Sequence, residues 1–158
     1  MVHVEYRELA LHEIDTIAPL WRKLNAHHAR HSPDFSEVFR GIDFESRIRR
    51  LRRHRKLLRV IVADVPGGGP VGYAIGSITD TYDTQRGELD SMYVEEEWRG
   101  QGIGRELTSS ILNWLDGSGI TNIIIAVAAG NEEAIEFYGR LGFAPRAITL
   151  RRKPSPQE

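Results

Sequence analysis

The stretch best equipped for chemistry is Arg99-Gly-Gln-Gly-Ile-Gly104, whose glycines at 100, 102 and 104 stand between a strand-like run and an amphipathic helical one. Such a loop can turn successive backbone N–H groups inward, and the first turn of a helix adds positive dipole character. Both favour a bound phosphate, and Arg99 and Arg105 at the loop's edges add charge. A strand-to-helix turn that merely needs glycine has the same composition, so the loop alone leaves both readings open. It fits neither of the two commonest phosphate loops. A dinucleotide fingerprint requires G-x-G-x-x-G, whereas positions 100, 102, 104 and 105 are Gly, Gly, Gly and Arg. A nucleoside-triphosphate loop ends in Gly-Lys-Ser/Thr, a triplet the chain does not contain.

The elements that must position this loop follow from periodicity. Residues 2–6 alternate as a first strand. Ile14, Ile17, Leu20, Trp21 and Leu24 recur at helical spacing within 14–31, and Pro19 predicts a kink or a helix that begins nearer Ala18. Ser32-Pro33-Asp34 is a stop. A second helix is expected over 43–57, with Phe44, Ile48, Leu51 and Leu58 as its apolar stripe. Residues 57–65 read as a buried strand, 66–70 as a tight turn and 71–79 as the antiparallel partner. In the next strand, 89–94, the apolar positions Leu89, Met92 and Val94 slip phase by one residue. A β-bulge between Leu89 and Met92 returns both to one face.

Beyond the Gly- and charge-rich 95–105, a helix is expected over 102–115 with Ile103, Leu107, Ile111, Trp114 and Leu115 on one face. A strand over 120–128, a helix over 132–141 and a last strand over 147–152 complete the reading. The expectation is one mixed α/β (α+β) domain, residues 1–153, around a largely antiparallel central sheet flanked by helices. Residues 154–158 form a frayed tail with two prolines.

Set among these elements, two blocks resemble the GNAT N-acetyltransferase superfamily. Arg99-x-x-Gly102-x-Gly104, following Met92-Tyr93-Val94 and opening a helix, looks like that superfamily's acetyl-CoA loop. Asn131-Glu-Glu-Ala-Ile-Glu-Phe-Tyr-Gly-Arg-Leu-Gly-Phe143 is similar to its Asn-x-x-Ala-x-x-Phe-Tyr-x-x-x-Gly-Phe pattern. One helix and one strand separate the blocks, as in the superfamily, and the resemblance covers 88–143. It implies a GNAT-like fold with a bulged strand near 89–94. It also implies an acetyl-CoA-dependent N-acetyltransferase, with acetyl-CoA as cosubstrate and no metal. The acceptor, a small-molecule or a protein amine, is named by no motif.

Acyl transfer from a thioester needs a polarised carbonyl, a neutral amine and a proton for the departing thiolate. The resemblance implies that the pantetheine arm lies as a pseudo-strand along the main chain of Met92, Tyr93 and Val94, with an N–H near Val94 polarising the thioester oxygen. Their side chains are free to pack in the core at the same time. Arg99, Gly100, Gln101, Gly102, Ile103, Gly104 and Arg105 fall to the pyrophosphate. Asn131 matches the position that contacts the CoA arm, and an Asn before a helix also serves as an N-cap. Tyr138 matches the tyrosine that protonates the thiolate. A phenol of reference pKa about 10 carries its proton at neutral pH and can donate it, although the same ring could serve packing alone. An alkylammonium must lose a proton before attack. Glu88 is the first candidate base and Asp90 the second, directly or through a water, with ordered water alone as the remaining alternative.

Other signals weigh less. His27 and His31 are i, i+4, a spacing that can place two imidazoles on one metal. No nearby Glu or Cys completes a zinc pattern, and helix-end histidines, His28 among them, suit the dipole anyway. In a GNAT fold that segment borders the acceptor channel. Eight of the chain's 21 Lys and Arg fall at 47, 49, 50, 52, 53, 55, 56 and 59. The alternative reading is therefore a non-catalytic GNAT-like module that senses CoA or binds nucleic acid through 47–59. Nucleic acid is disfavoured by the lack of interleaved aromatics and by a net charge of -1, from 21 basic and 22 acidic residues. The absence of cysteine excludes a disulfide scaffold, Cys-ligated zinc, an iron–sulfur cluster and a thiol nucleophile. No apolar run approaches the roughly 18 residues of a membrane span, and the first residues do not resemble a signal peptide. A cytoplasmic protein with acetyl-CoA and an amine as partners is expected, and a homodimer is compatible with it.

Overall fold

Two continuous apolar runs joined by Pro66-Gly67-Gly68 make a hairpin, and this hairpin is the centre of the sheet. The computed structural model describes residues 2–156. Met1, Gln157 and Glu158 lie outside them, and with them the first residue of the expected domain and the end of the expected tail. In chain order the elements are β1 (Glu5–Leu9), a 3-10 turn (Leu11–Ile17), α1 (Ala18–His31), α2 (Ser36–Arg40), α3 (Phe44–His54), β2 (Leu57–Val65) and β3 (Gly69–Asp80). Next come β4 (Gln85–Val94), α4 (Ile103–Gly117), β5 (Asn122–Ile125) and α5 (Glu132–Arg140). The strands lie side by side in sequence order, antiparallel except for the parallel β4–β5 pair. No described helix is long and apolar enough to cross a membrane.

The chain divides into two compact units, Met1–Leu24 with Phe44–Ala126, and Asn25–Asp43 with Val127–Glu158. The first holds the sheet. On one face Ile17, Leu20 and Trp21 join Phe44, Ile48 and Leu51 over Val60, Val62, Tyr73 and Ile75. On the other face lies α4, whose Ile103, Leu107, Ile111 and Leu115 are buried at the spacing the helix period demands. The helix sits so close that a Cβ on Gly76 would fall 2.4 Å from Ile111 Cγ2, so β3 must carry glycine there. In the second unit, Asn25 Nδ2 donates to the Phe39 carbonyl at 2.6 Å, and a Cβ on Gly130 would lie 2.8 Å from the His31 carbonyl.

Several boundaries differ from the periodicity reading. The first strand is 5–9 rather than 2–6, because its register is fixed by pairing with β2 from Glu5↔Asp64 to Leu9↔Val60. Pro19 falls in the first turn of α1, where its missing N–H costs nothing, and the residues before it wind as a 3-10 turn. The second helix ends at His54 rather than 57, so Leu58 packs against the core from β2 and not from the helix. The strand expected over 120–128 is confined to Asn122–Ile125. The last expected strand, 147–152, is no strand. Residues 141–156 carry no regular element, and Ile148 and Leu150 are exposed. Alternation there is real, but no described strand pairs with it; Lys153 and Arg151 instead reach Asp34 (3.3 Å) and the face of Phe35.

Candidate functional site

The expected bulge is present. Ile75 faces Ser91 and Gly76 faces Leu89, which leaves Asp90 as the extra residue on β4. Leu89 and Met92 thus share the face that α4 covers, opposite Gly76 and Ala74. Beyond the bulge, the Glu95 N–H donates to the Val71 carbonyl at 2.8 Å, which makes Val71–Glu95 and Tyr73–Tyr93 the hydrogen-bonded pairs of the ladder. Met92 and Val94 alternate with them, so their N–H and C=O groups turn to the opposite edge. On that edge β5 pairs with β4 only from Arg86 to Leu89, so no described strand takes up those groups. Tyr93 turns its main chain to β3 and packs its ring against the core.

This edge runs into the glycine-rich loop. Gly100 and Gly102 hold φ of +76° and +85°, in the left-handed region, and a Cβ on either would meet nothing within 4 Å. Gly102 is the N-cap of α4 and its carbonyl accepts the first helical bond, from Glu106 N. The N–H groups of Ile103, Gly104 and Arg105 therefore lack intrahelical acceptors. Ile103 buries its side chain and contributes main chain alone, while Gln101 and Arg105 are exposed. Open space, left-handed glycines and free N–H groups at the start of a 15-residue helix fit a phosphate-bearing ligand.

Glu88 and Asp90 sit on the face covered by α3. Their side chains are 12% and 0% exposed, and both meet Arg55, itself 18% exposed, just past the end of α3. Arg86 Nη2 lies 3.7 Å from Glu88 Oε2. Burial first, then the neighbouring carboxylate, pushes Glu88 above the usual range against the pull of Arg55, Arg86 and Arg47. Burial raises Asp90 too, opposed by Ser77, Arg55 and Arg47. Ser77 Oγ is near enough to favour the ionised Asp90, yet neither it nor Asp90 Oδ2 makes a hydrogen bond of normal geometry. Sequence reasoning did not single out Arg55, which it counted only among the eight basic residues of 47–59. The available signal was a pair of carboxylates on one strand, which need a cation if they are buried.

Asn131 and Tyr138 belong to the second unit. Asn131 caps α5, its Oδ1 accepting from Ala134 N at 3.2 Å. Tyr138 is buried, with Phe137 and Phe143 edge-on at 5.1 and 6.2 Å, and burial pushes its phenol up to about 12. Such a phenol keeps its proton throughout the neutral range. In the same unit the rings of His27 and His31 lie 4.2 Å apart, and His31 Nδ1 meets the His27 carbonyl at 2.9 Å. Burial, then the charges of His27 and His31, lowers the pKa of His28.

The sequence profile described as "Acetyltransferase (GNAT) family" matches residues 24–143. The chain belongs to the GNAT family. Among GNAT relatives, N-alpha-acetyltransferase 30 of Schizosaccharomyces pombe is 38% identical over 60 residues, 38% of this chain and 40% of that protein. L-methionine sulfoximine/L-methionine sulfone acetyltransferase of Pseudomonas paraeruginosa is 29% identical over 92 residues, 58% of this chain and 54% of that protein. The match thus spans about half the length of these curated relatives. A putative acetyl transferase from Pyrococcus furiosus superposes with a TM-score of 0.75 at 22% identity, covering 95% of this chain and 100% of that one. A predicted acetyltransferase with acetyl-CoA from Clostridium acetobutylicum superposes at 0.71 and 18% identity, covering 96% of each chain. These superpositions establish the GNAT fold.

Proposed function

We propose that this chain is an acetyl-CoA-dependent N-acetyltransferase acting on a primary amine by direct attack, without a metal. The observation that carries the reading is the edge of β4 at Met92 and Val94, which no described strand pairs and which runs into the left-handed glycines at the start of α4. A line of main-chain donors and acceptors ending in free N–H groups suits a ligand made of an amide-bearing arm and a pyrophosphate.

In this reading the main chain of Met92 and Val94 receives the pantetheine arm. The Val94 N–H donates to the thioester oxygen, which gains negative charge as the amine attacks. The first-turn N–H groups of α4, with Gln101 and Arg105, hold the pyrophosphate, and Asn131 contacts the arm. Glu88 takes a proton from the ammonium, directly or through a water, and a carboxylate pushed above its usual range is a better base for that task. A C–N bond forms, the C–S bond breaks, Tyr138 gives its phenol proton to the sulfur, and the second proton lost by the nitrogen returns to the phenol through water.

The test combines acetyl-CoA, a thiol reagent and a panel of primary amines. The relatives' names suggest protein α-amines and methionine sulfoximine or sulfone as members of the panel. Amine-dependent thiol release is expected. Acetyl-CoA binding with no release from any amine would favour a CoA-sensing module instead.

A further inference from the structure

Two carboxylates separated by one residue on a strand, both nearly out of water, repel each other and lose hydration. A folded chain keeps them ionised only if a cation is supplied. Here the cation comes from Arg55. Its own N–H is still bonded to the Leu51 carbonyl of α3, and the next N–H, that of Lys56, reaches the Ile78 carbonyl of β3, both at 2.9 Å. The main chain is therefore pinned between helix and sheet before the side chain begins. Arg55 Nε donates to Asp90 Oδ1 and its Nη2 to Glu88 Oε2, each at 3.2 Å. Asp90 is the residue that the bulge adds, and Glu88 precedes the bulge opposite Ser77. One guanidinium thus reaches from the regular part of β4 to the bulged residue itself.

We propose that Arg55 is a positioning residue for acetyl transfer: its fork ties Glu88 to Asp90 and so fixes both the base and the bulge that turns Met92 and Val94 to the free edge. The inference rests on the acetyl-transfer reading with Glu88 as base. A guanidinium is suited to this because its donors point in fixed, coplanar directions, whereas an ammonium is a point charge on a flexible stem. The other groups facing the two carboxylates are Arg86 on β4, Arg47 on α3 and Ser77 on β3. With Arg55 gone these remain, but mutual repulsion and burial are no longer opposed by a bidentate partner. The carboxylates then take up protons at higher pH.

The experiment compares Arg55→Gln, Arg55→Lys and Glu88→Gln with the parent. It measures kcat/KM against pH by thiol release, and hydrogen exchange at the amides of 89–94. Arg55→Gln is expected to move the acid limb upward by about one pH unit or more. It should lower kcat about 10–100-fold, with a smaller change in KM for acetyl-CoA, and speed exchange past the bulge. Arg55→Lys is expected to hold the acid limb near the parent's while recovering only part of kcat. An Arg55→Gln protein with the parent's pH profile and exchange overturns the proposal. If that variant does not fold, Arg55→Lys decides: parental kcat and exchange would show that charge alone suffices, and would overturn the proposal equally. Failure of the underlying reading looks different. A parent that releases no thiol with any amine, or a fully active Glu88→Gln, removes the base itself, and the proposal with it.

Discussion

Arg99 closes back on Val94: its Nε donates to the Val94 carbonyl at 2.9 Å, with the guanidinium carbon 5.3 Å from the centre of the Tyr93 ring. The residue expected only to hold pyrophosphate thus also braces the strand end whose N–H is proposed to face the thioester. Removing it should weaken both functions. Arg99→Ala is expected to raise the Kd for acetyl-CoA about tenfold, roughly 1.4 kcal/mol, by calorimetry. Arg99→Lys should recover part of this through charge alone. An unchanged Kd in the alanine variant would take Arg99 out of the ligand site.

Gly102 and Gly76 are required for different reasons, and alanine separates them. At Gly102 a Cβ has open space but the backbone sits at φ +85°, so Gly102→Ala should cost about 1–2 kcal/mol of strain or shift the loop and weaken acetyl-CoA. At Gly76 the added Cβ would stand 2.4 Å from Ile111 Cγ2 and 3.1 Å from its Cδ1. Overpacking of that kind costs about 1–3 kcal/mol, read as a lower Tm with little specific loss of affinity. Ile111→Ala removes both atoms, so Gly76→Ala should cost less when added to that variant than when added to the parent. If the two alanine variants behaved alike in both assays, the distinction would be wrong.

The phenol of Tyr138 should matter to turnover and not to binding. Tyr138→Phe keeps the ring that packs on Phe137 and Phe143. The expected result is a folded protein with near-parental acetyl-CoA affinity and kcat lower by about 10²–10⁴-fold. An active Phe variant would leave water as the proton source.

The same residue predicts an alkaline effect on stability. The folded protein holds the Tyr138 proton up to about 12, while the unfolded chain releases it near 10. Stability is thus fully present below about pH 10 and is lost as pH rises towards 12, by at most about 2–3 kcal/mol. Denaturant titrations of the Phe variant should lack that part of the loss; a decline identical to the parent's would show that other groups cause it.

The sequence made the local geometry legible where one residue type had no substitute. The phase slip between Leu89 and Met92 can be absorbed only by a bulge, and the bulge is there. The glycines before α4 announce a tight strand-to-helix loop, and Gly100 and Gly102 make it by taking positive φ. What stayed hidden was information held elsewhere in the chain. Ile148 and Leu150 alternate as a strand should, yet a strand also needs a partner, and alternation cannot report whether one exists. Arg55 looked like its solvated neighbours because the carboxylates that claim it lie 33 and 35 residues further on.

Those neighbours yield a prediction of their own. Arg49, Arg50, Arg53 and His54 line a shallow groove along the exposed face of α3, and no carboxylate among the described residues pairs with the three arginines. Without aromatic side chains between them they offer charge but no stacking surface. Anisotropy titrations with RNA or DNA at physiological salt should give no Kd tighter than about micromolar. Tighter binding that Arg49→Gln with Arg53→Gln abolishes would promote the nucleic-acid reading.

β5 stops at Ile125, opposite Leu89, so no described strand pairs with the remainder of β4 on that side. An unpaired strand edge is a template on which another chain can add itself. Protein purified free of ligand should therefore be the more prone to self-association and slow precipitation on storage. A pantetheine arm laid along Met92 and Val94 would take the place of the absent strand. Acetyl-CoA, or CoA alone, should then act as a preservative in solution as well as a reactant, and light scattering of concentrated samples with and without it would register the difference.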